Sequence, residues 1–345
     1  MSVQITDCTI RDGGYLFSKN PSPEFAKGIM KGLTDAGIDF VETGFLQTNV
    51  TDDTLVYGNS ADAMRFILAD RRNTNFLGFC DNSRYSLKDL DDYNGKSFKW
   101  LRISFAQHEI DGALDFCAGA MRKGYHVQFN PMDSISYTDE ERAFLIEKVN
   151  KVKPASFSIV DTFGAMDMMD LVHIFRQVDS LLDKDIKIGL HSHDNLGLSC
   201  ALAERMIELA EEAGRDIIVD GSLFGMGRGA GNAKTELLAD YINKHCGGHY
   251  DIRKLLETID TYITPVMAEL DYGYDLPMYV CGVLHSHVDN VYHLKNKYGC
   301  SAKEMFDVVS ALSPQQRTRY GVGYSKTDFT LLDRLYEGTG GKKKS

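Results

Sequence analysis

Two short segments carry side chains able to hold an ion against an oxygen-rich substrate. "DCTIRDGG", Asp7 to Gly14, places Arg11 beside Asp12, and "HSHDNLG", His191 to Gly197, places two histidines two positions apart. Alternate residues of a strand face the same side, so His191 and His193 can present both imidazoles to one point. Asp12 adds a carboxylate oxygen and Arg11 a fixed positive charge. One carboxylate with two imidazoles suits Mn²⁺, Zn²⁺, Co²⁺ or Fe²⁺, with Mg²⁺ less at ease on two nitrogens; of the divalent metals, Mn²⁺ is taken as the expected cofactor, with Mg²⁺, Co²⁺ and Zn²⁺ as alternatives. A single strand-end histidine is ordinarily structural. The H-x-H pair, followed by "DNLG" and matched by a distant Asp-Gly turn, shifts the reading toward a metal site.

The elements that must position these groups follow a regular alternation over residues 1–245. Strands are expected at Val3–Cys8, Phe40–Phe45, Phe76–Cys80, Trp100–Phe105, His126–Asn130, Ser156–Val160, Ile186–His191 and Ile217–Ser222. Amphipathic stretches lie between them, and "AGID", "RKGY" and "EEAGRD" supply glycines where helices should stop. Eight strands with crossover helices in roughly 250 residues match an α/β fold of the (β/α)₈ TIM-barrel type. An open doubly wound sheet is the alternative. It is disfavoured because "RDGGYLFSKNPSP" after the first strand has no G-x-G-x-x-G pattern. Residues 246–335 show helical patterns without strands (Leu255–Leu270, Val280–Tyr298 and Ala302–Leu312), which predicts a helical C-terminal subdomain. Residues 336–345, ending "GTGGKKKS", read as a disordered tail.

A barrel of this kind builds its site at the C-terminal ends of the strands. Asp12 follows the first strand, Glu42 lies in the second, and Asp161 follows the sixth. His191 and His193 end the seventh, and Asp220 lies in the eighth. Glu42 and Asp161 are candidate substrate contacts. Gly229, within the glycine-rich Gly225–Asn232, is a third. That loop precedes a helix, so its backbone N–H groups can receive an anion, or its glycines can simply allow a tight turn. Arg11 can form a local ion pair with Asp12, or its buried charge can serve a substrate oxyanion.

Composition narrows the function classes. The 345 residues are 43% hydrophobic and 25% charged, with 38 Lys+Arg against 49 Asp+Glu and a net charge of -11. An acidic surface argues against nucleic acid or an anionic membrane as partner. Seven scattered cysteines without a CxxC pair argue against a disulfide framework or a zinc–cysteine site. No run approaches the ~18 apolar residues of a membrane helix, and "MSVQITDC" has no signal-peptide character. A cytoplasmic protein is expected.

Taken in order, "TIRDGG", "VETGF", "DTFGAM", "GLHSHDNLGLS" and "DGSLFGMGRGAGNAKTE" resemble the DRE-TIM metallolyase (HMGL-like) superfamily of carbon–carbon lyases and condensing enzymes. The motifs run from strand one to strand eight and are specific as a set. "GAM" after "DTF", "GMGRGAGNA" and "YVCGVLHSHVDNVYHLKNKYG" are most similar to the 4-hydroxy-2-oxovalerate aldolase group. The resemblance implies Asp12, His191 and His193 as metal ligands, Asn232 as a further ligand or neighbour, and Arg11 as the group stabilising an enolate oxygen. Two positions depart from that group. Tyr15 stands where the pattern has a catalytic histidine, and Leu284 where it has a tyrosine. A free phenol near pKa 10 is a poor base at neutral pH, so Tyr15, His285 and His287 are the candidates for the missing proton acceptor. The last two can also be helix histidines facing solvent or a partner.

The expected reaction is metal-dependent cleavage or formation of a C–C bond in a 4-hydroxy-2-oxo acid, giving pyruvate and an aldehyde. An acyl-CoA-dependent Claisen condensation and a non-catalytic metal-binding subunit are the alternatives. The resemblance also implies an oligomer, of this chain alone or with an acylating aldehyde dehydrogenase docked on the C-terminal helices. "FLQTNVTDDTLVYGNS" and "FAQHEIDG" are the expected specificity loops.

Overall fold

The computed structural model describes residues 1–17, 21–48, 50, 55–65, 67–319 and 328–338. Its strands are β1 (Val3–Asp7), β2 (Phe40–Leu46), β3 (Val56–Tyr57), β4 (Asn75–Asp81), β5 (Trp100–Phe105), β6 (His126–Pro131), β7 (Ser156–Asp161), β8 (Lys187–Ser192) and β9 (Ile217–Gly221). All pairings between them are parallel. β1 pairs with β9 on one side and β2 on the other, which closes an eight-stranded barrel of β1, β2 and β4 to β9.

The two-residue β3 has no counterpart in the sequence reading. It pairs with Phe45 and Leu46 where β1 has already ended, extending the rim beside β2. Gly44 allows this approach, because a Cβ there would run into the Leu55 carbonyl oxygen and its φ is +142°. The ladder shifts register between Glu42 and Phe45 at the same point.

Crossover helices form where caps and apolar spacing coincide. In Pro23–Asp35, the Ser22 side chain accepts from Phe25 N, Pro23 opens the first turn, and Ala26, Ile29, Met30 and Leu33 bury one stripe. In Asp139–Val152, Thr138 and Glu141 form a reciprocal capping box. Helix Ser199–Ala213 stops at Gly214, whose φ of 63° satisfies the last turn. These stripes pack on the outer face of the sheet in the largest apolar core.

The barrel interior is layered by the two-residue alternation of its strands. At the N-terminal end Phe40, Leu77 and Ile218 form a small apolar plug with Trp100 against it. Two residues further along the same strands stand Glu42, Arg102 and Asp220, all buried, with Gln128 level with Arg102 across the β5–β6 ladder. An apolar floor under a charged layer directs chemistry to the C-terminal mouth.

Beyond the barrel, Leu255, Ile259 and Ile263 still pack into its core. A second core gathers Met278, Cys281, Val291, Leu294, Val309, Leu332 and Tyr336. The single helix expected over Val280–Tyr298 is two helices, Leu276–Val283 and Val288–Tyr298. The chain breaks at His285 (φ +50°) and restarts with His287, whose side chain caps Asp289 N. Helix Thr330–Gly338 extends into the segment expected as a tail, and residues 339–345 lie outside the described residues. All seven cysteines are free thiols. Among the described residues, no helix is long and apolar enough to cross a membrane.

Candidate metal centre and active site

Asp12 ends the short helical turn Thr9–Asp12 that follows β1, His191 lies in β8, and His193 follows it. The fold brings the three together, and one potential ligand atom from each lies within 4.8 Å of the others. Each histidine is oriented by a second contact. Nδ1 of His191 lies 3.0 Å from Asp220 Oδ2, and Nδ1 of His193 lies 3.2 Å from the Gly231 carbonyl. With Nδ1 donating, Nε2 of each ring is left as a lone-pair donor, the arrangement that orients metal-bound histidines. Burial lowers the His193 pKa to about 4 against the opposing charge of Asp12, so its imidazole is neutral at physiological pH.

Asn232 supplies the observation that tests the fit. Its Nδ2 donates to Asp12 Oδ2 at 2.7 Å and to the Met226 carbonyl at 3.1 Å, while Oδ1 is buried and accepts no hydrogen bond among the described residues. Buried oxygens without a partner are uncommon, and an ion is one of their ordinary explanations. Gly227 leaves the necessary room, because a Cβ there would collide with Asn232 Nδ2 and Asp12 Oδ2. A carboxylate, two imidazoles and an amide oxygen form a donor set that fits a divalent cation.

Charge is organised through the whole layer. Nε of Arg11 meets Glu42 Oε2 and its Nη1 meets Asp12 Oδ1, both at 2.6 Å, and its guanidinium lies 4.4 Å over the Phe79 ring. Arg102 reaches Asp220 Oδ2 at 2.5 Å and Asp220 Oδ1 at 2.9 Å, and bonds Gln128 Oε1 from two nitrogens. Its Nη1 also lies 3.1 Å from Glu42 Oε1. The alternating row His191, Asp220, Arg102, Glu42, Arg11, Asp12 thus crosses the barrel interior. Three carboxylates against two guanidiniums leave one negative charge, which favours a cation at the Asp12 end. Burial would raise the Asp12 carboxyl, yet Arg11 and the two histidines hold it well below the usual carboxylate range. Asp220 is lowered likewise, with Arg102 and His191 outweighing burial.

Other expected site residues lie elsewhere. Glu42 is fully buried, pairs with Arg11 and is not among the residues lining the cavity. Asp161 accepts from the backbone N–H groups of Ala165 and Met166, pinning the "DTFGAM" turn, and burial raises it to about 7. Its neighbours Val160 and Thr162 line the cavity in its place. His285 points into a neighbouring cavity of about 450 Å³, its Nε2 2.5 Å from Asp133 Oδ1. His287 is buried as a helix cap. Neither lines the metal cavity, because the break between the two C-terminal helices turns them away. Tyr15 does line it, with Arg228 5.9 Å from its ring, and desolvation raises its phenol. Gly229 is on the wall at φ +69°.

The cavity holds about 620 Å³, and several of its lining groups were not expected, among them Arg84, Arg228, Tyr292 and Asn296. Of the two expected specificity loops, the first falls partly on residues 49 and 51–54, outside the described residues. The second puts Gln107 and His108 in the neighbouring cavity.

The HMGL-like family model matches residues 100–261. Over 319 residues the chain is 25% identical to a 4-hydroxy-2-oxovalerate aldolase of Thermomicrobium roseum, covering 88% of this chain and 85% of that protein. A homocitrate synthase of Pyrococcus horikoshii is 26% identical over 271 residues, 73% of this chain and 69% of that one. Among solved structures, the N-terminal domain of a "putative aldolase" from Bacteroides vulgatus superposes with a TM-score of 0.71 at 25% identity, covering 84% of this chain and 95% of that one. Motifs, closed barrel and matched relatives point the same way: residues 100–261 match the HMGL-like family, and the chain is similar to 4-hydroxy-2-oxovalerate aldolases.

Proposed function

We propose that the chain is a divalent-metal-dependent aldolase that cleaves or forms the C3–C4 bond of a 4-hydroxy-2-oxo acid, with pyruvate and an aldehyde on the other side. The observation that carries this reading is the convergence of Asp12, His191 and His193 beside a fixed guanidinium at the barrel mouth. Asp12, His191 and His193 would hold the ion, with Asn232 Oδ1 beside them, and the nitrogen-rich set favours Mn²⁺, Co²⁺ or Zn²⁺ over Mg²⁺. When bound, a divalent cation there supplies Lewis-acid neutralisation of charge on the 2-oxo acid.

The rest of the work falls to the protein. Arg11 is held through two nitrogens and backed by Phe79, so its remaining N–H groups are preorganised toward the cavity, where the enolate oxygen develops charge. In the cleavage direction a proton leaves the C4 hydroxyl, the C3–C4 pair passes into the enolate, the aldehyde departs, and C3 then takes a proton. Tyr15 stays protonated and can donate to an oxygen in the cavity. Proton acceptance falls to the carboxylates of the wall, where Asp81 and Asp289 are each fixed by an arginine. A dehydrogenase that receives the aldehyde would dock on helix Leu276–Val283, whose Leu276, Tyr279 and Val283 are exposed.

The test is pyruvate release from 4-hydroxy-2-oxo acids, run with metal analysis of the wild type and two variants. Arg11→Ala should lose about 10²–10³ in kcat with metal content kept, and His191→Ala should lose both. Unchanged turnover and metal in both variants, or release of free thiol from acyl-CoA as the only activity, would overturn the reading.

A further inference from the structure

We infer that the aldehyde half of the substrate is a neutral, hydroxyl-bearing chain, so that the enzyme acts on 4-hydroxy-2-oxo acids carrying further hydroxyls beyond C4. The inference rests on the aldolase reading above and names what the outer half of that cavity takes. Its volume of about 620 Å³ lies within the about 300–1,000 Å³ typical of sites for larger ligands, more room than pyruvate and a short alkyl aldehyde would fill.

Part of the cavity wall is built from the segment after the barrel. Glu269, Asp271, Asp289, Tyr292 and Asn296 line it there, joined by Tyr15 of the first strand-to-helix turn. These groups are hydrogen-bonding partners for hydroxyls. Carboxylates accept from them with charge assistance, and the amide both donates and accepts. Burial pushes the Tyr292 phenol up to about 12, which keeps it a neutral O–H. The rings of Tyr15 and Tyr292 offer apolar surface to the carbon skeleton between hydroxyls.

Charge decides against a second acidic group on the aldehyde. The outer arginines are already engaged, Arg84 3.4 Å from Asp81 and Arg228 2.5 Å from Asp289. Among the described residues Asp271 pairs with Lys295 alone, at 3.8 Å, so its charge and that of Glu269 stand in the cavity lining. An alkyl chain fits no better, since it would strip water from carboxylates and an amide without replacing their hydrogen bonds. A polyol satisfies the same groups without adding charge. The bond change stays a simple aldol addition: C3 of pyruvate loses a proton, bonds the aldehyde carbon, and the aldehyde oxygen gains a proton, with no oxidant required.

The experiment uses the full chain with Mn²⁺ and has two arms. Deuterium uptake into the pyruvate methyl group from D₂O, without aldehyde, reads enolate formation alone. Aldol addition is then compared across D-erythrose, D-arabinose, propanal and succinic semialdehyde. The expected result is metal-dependent deuterium uptake, with kcat/KM at least tenfold higher for a hydroxyaldehyde than for propanal or succinic semialdehyde. In Asp271→Ala and Asn296→Ala, both at exposed positions, the hydroxyaldehyde-to-propanal ratio should fall by about tenfold. Preference for propanal or succinic semialdehyde, with deuterium uptake intact, overturns this inference and leaves the aldolase reading standing. Absence of uptake with every divalent metal tried overturns the aldolase reading itself.

Discussion

The Asp220 carboxylate lies 3.0 Å from Nδ1 of His191 and fixes which ring nitrogen faces the cavity. The proposed ligand is thus oriented from behind, by a strand neighbour that does not line the cavity. Asp220→Asn offers a neutral amide that can present its NH₂ group to Nδ1 and favour the wrong tautomer. Metal affinity should fall about 10–100-fold, read by calorimetric titration with Mn²⁺, while the circular dichroism spectrum stays that of the wild type. Equal affinity would show that the pair is structural only.

Arg102 is fully buried and stands between two carboxylates that serve opposite sides of the site. Removing it leaves Glu42 and Asp220 buried without compensation, a loss of about 3–5 kcal/mol. Arg102→Met should therefore show a large drop in the denaturant midpoint, and Arg102→Lys a smaller one. A midpoint unmoved by Arg102→Met would contradict the network as drawn.

Gly227 offers a steric probe that leaves every ligand in place. A Cβ there collides with Asn232 Nδ2 and Asp12 Oδ2, so Gly227→Ala should displace the donor set. Mn²⁺ affinity is expected to fall at least tenfold, with a melting temperature lowered by only a few degrees. A variant that binds Mn²⁺ as the wild type does would mean that the ion sits elsewhere.

Asp7 gives a stability prediction independent of metal. It is buried, accepts from Thr235 Oγ1 at 2.6 Å and Thr9 N at 2.9 Å, and burial raises it from 3.8 to about 6. A folded pKa above the unfolded value favours the protonated form. The contribution is full below about pH 3.8 and is lost as pH rises through 6. Two pKa units correspond to up to about 3 kcal/mol. Asp7→Asn should remove that part of the decline, so the stability difference between wild type and variant should change between pH 4 and 6. Parallel curves across that range would refute the assignment.

Strand positions were legible because parallel strands buried on both faces read as short apolar runs; Trp100–Phe105 agrees to the residue. Asp12, Arg11 and the H-x-H pair were legible because the residues that cooperate are adjacent or alternate in sequence. What the sequence could not display is partnership at long range. Glu42 and Asp161 are both acidic residues carried on barrel strands, yet one clamps Arg11 and the other pins its own turn. Arg102 gave no signal, since its partners Glu42 and Asp220 are far away in the chain. The break at His285 was hidden because "CGVLHSHVDN" continues the apolar rhythm of a helix, and only the cap by His287 shows where the second one starts. Asp271 and Asn296 carry no local pattern; the packing of the C-terminal helices makes them part of a wall.

The central claim is that one divalent cation is gripped by Asp12, His191 and His193, and calorimetric titration with Mn²⁺ tests it most directly. The wild type should bind one equivalent tightly, and His191→Ala and Asp12→Asn should each abolish that isotherm. An unchanged single-site isotherm in both variants, or none in the wild type, would contradict the account.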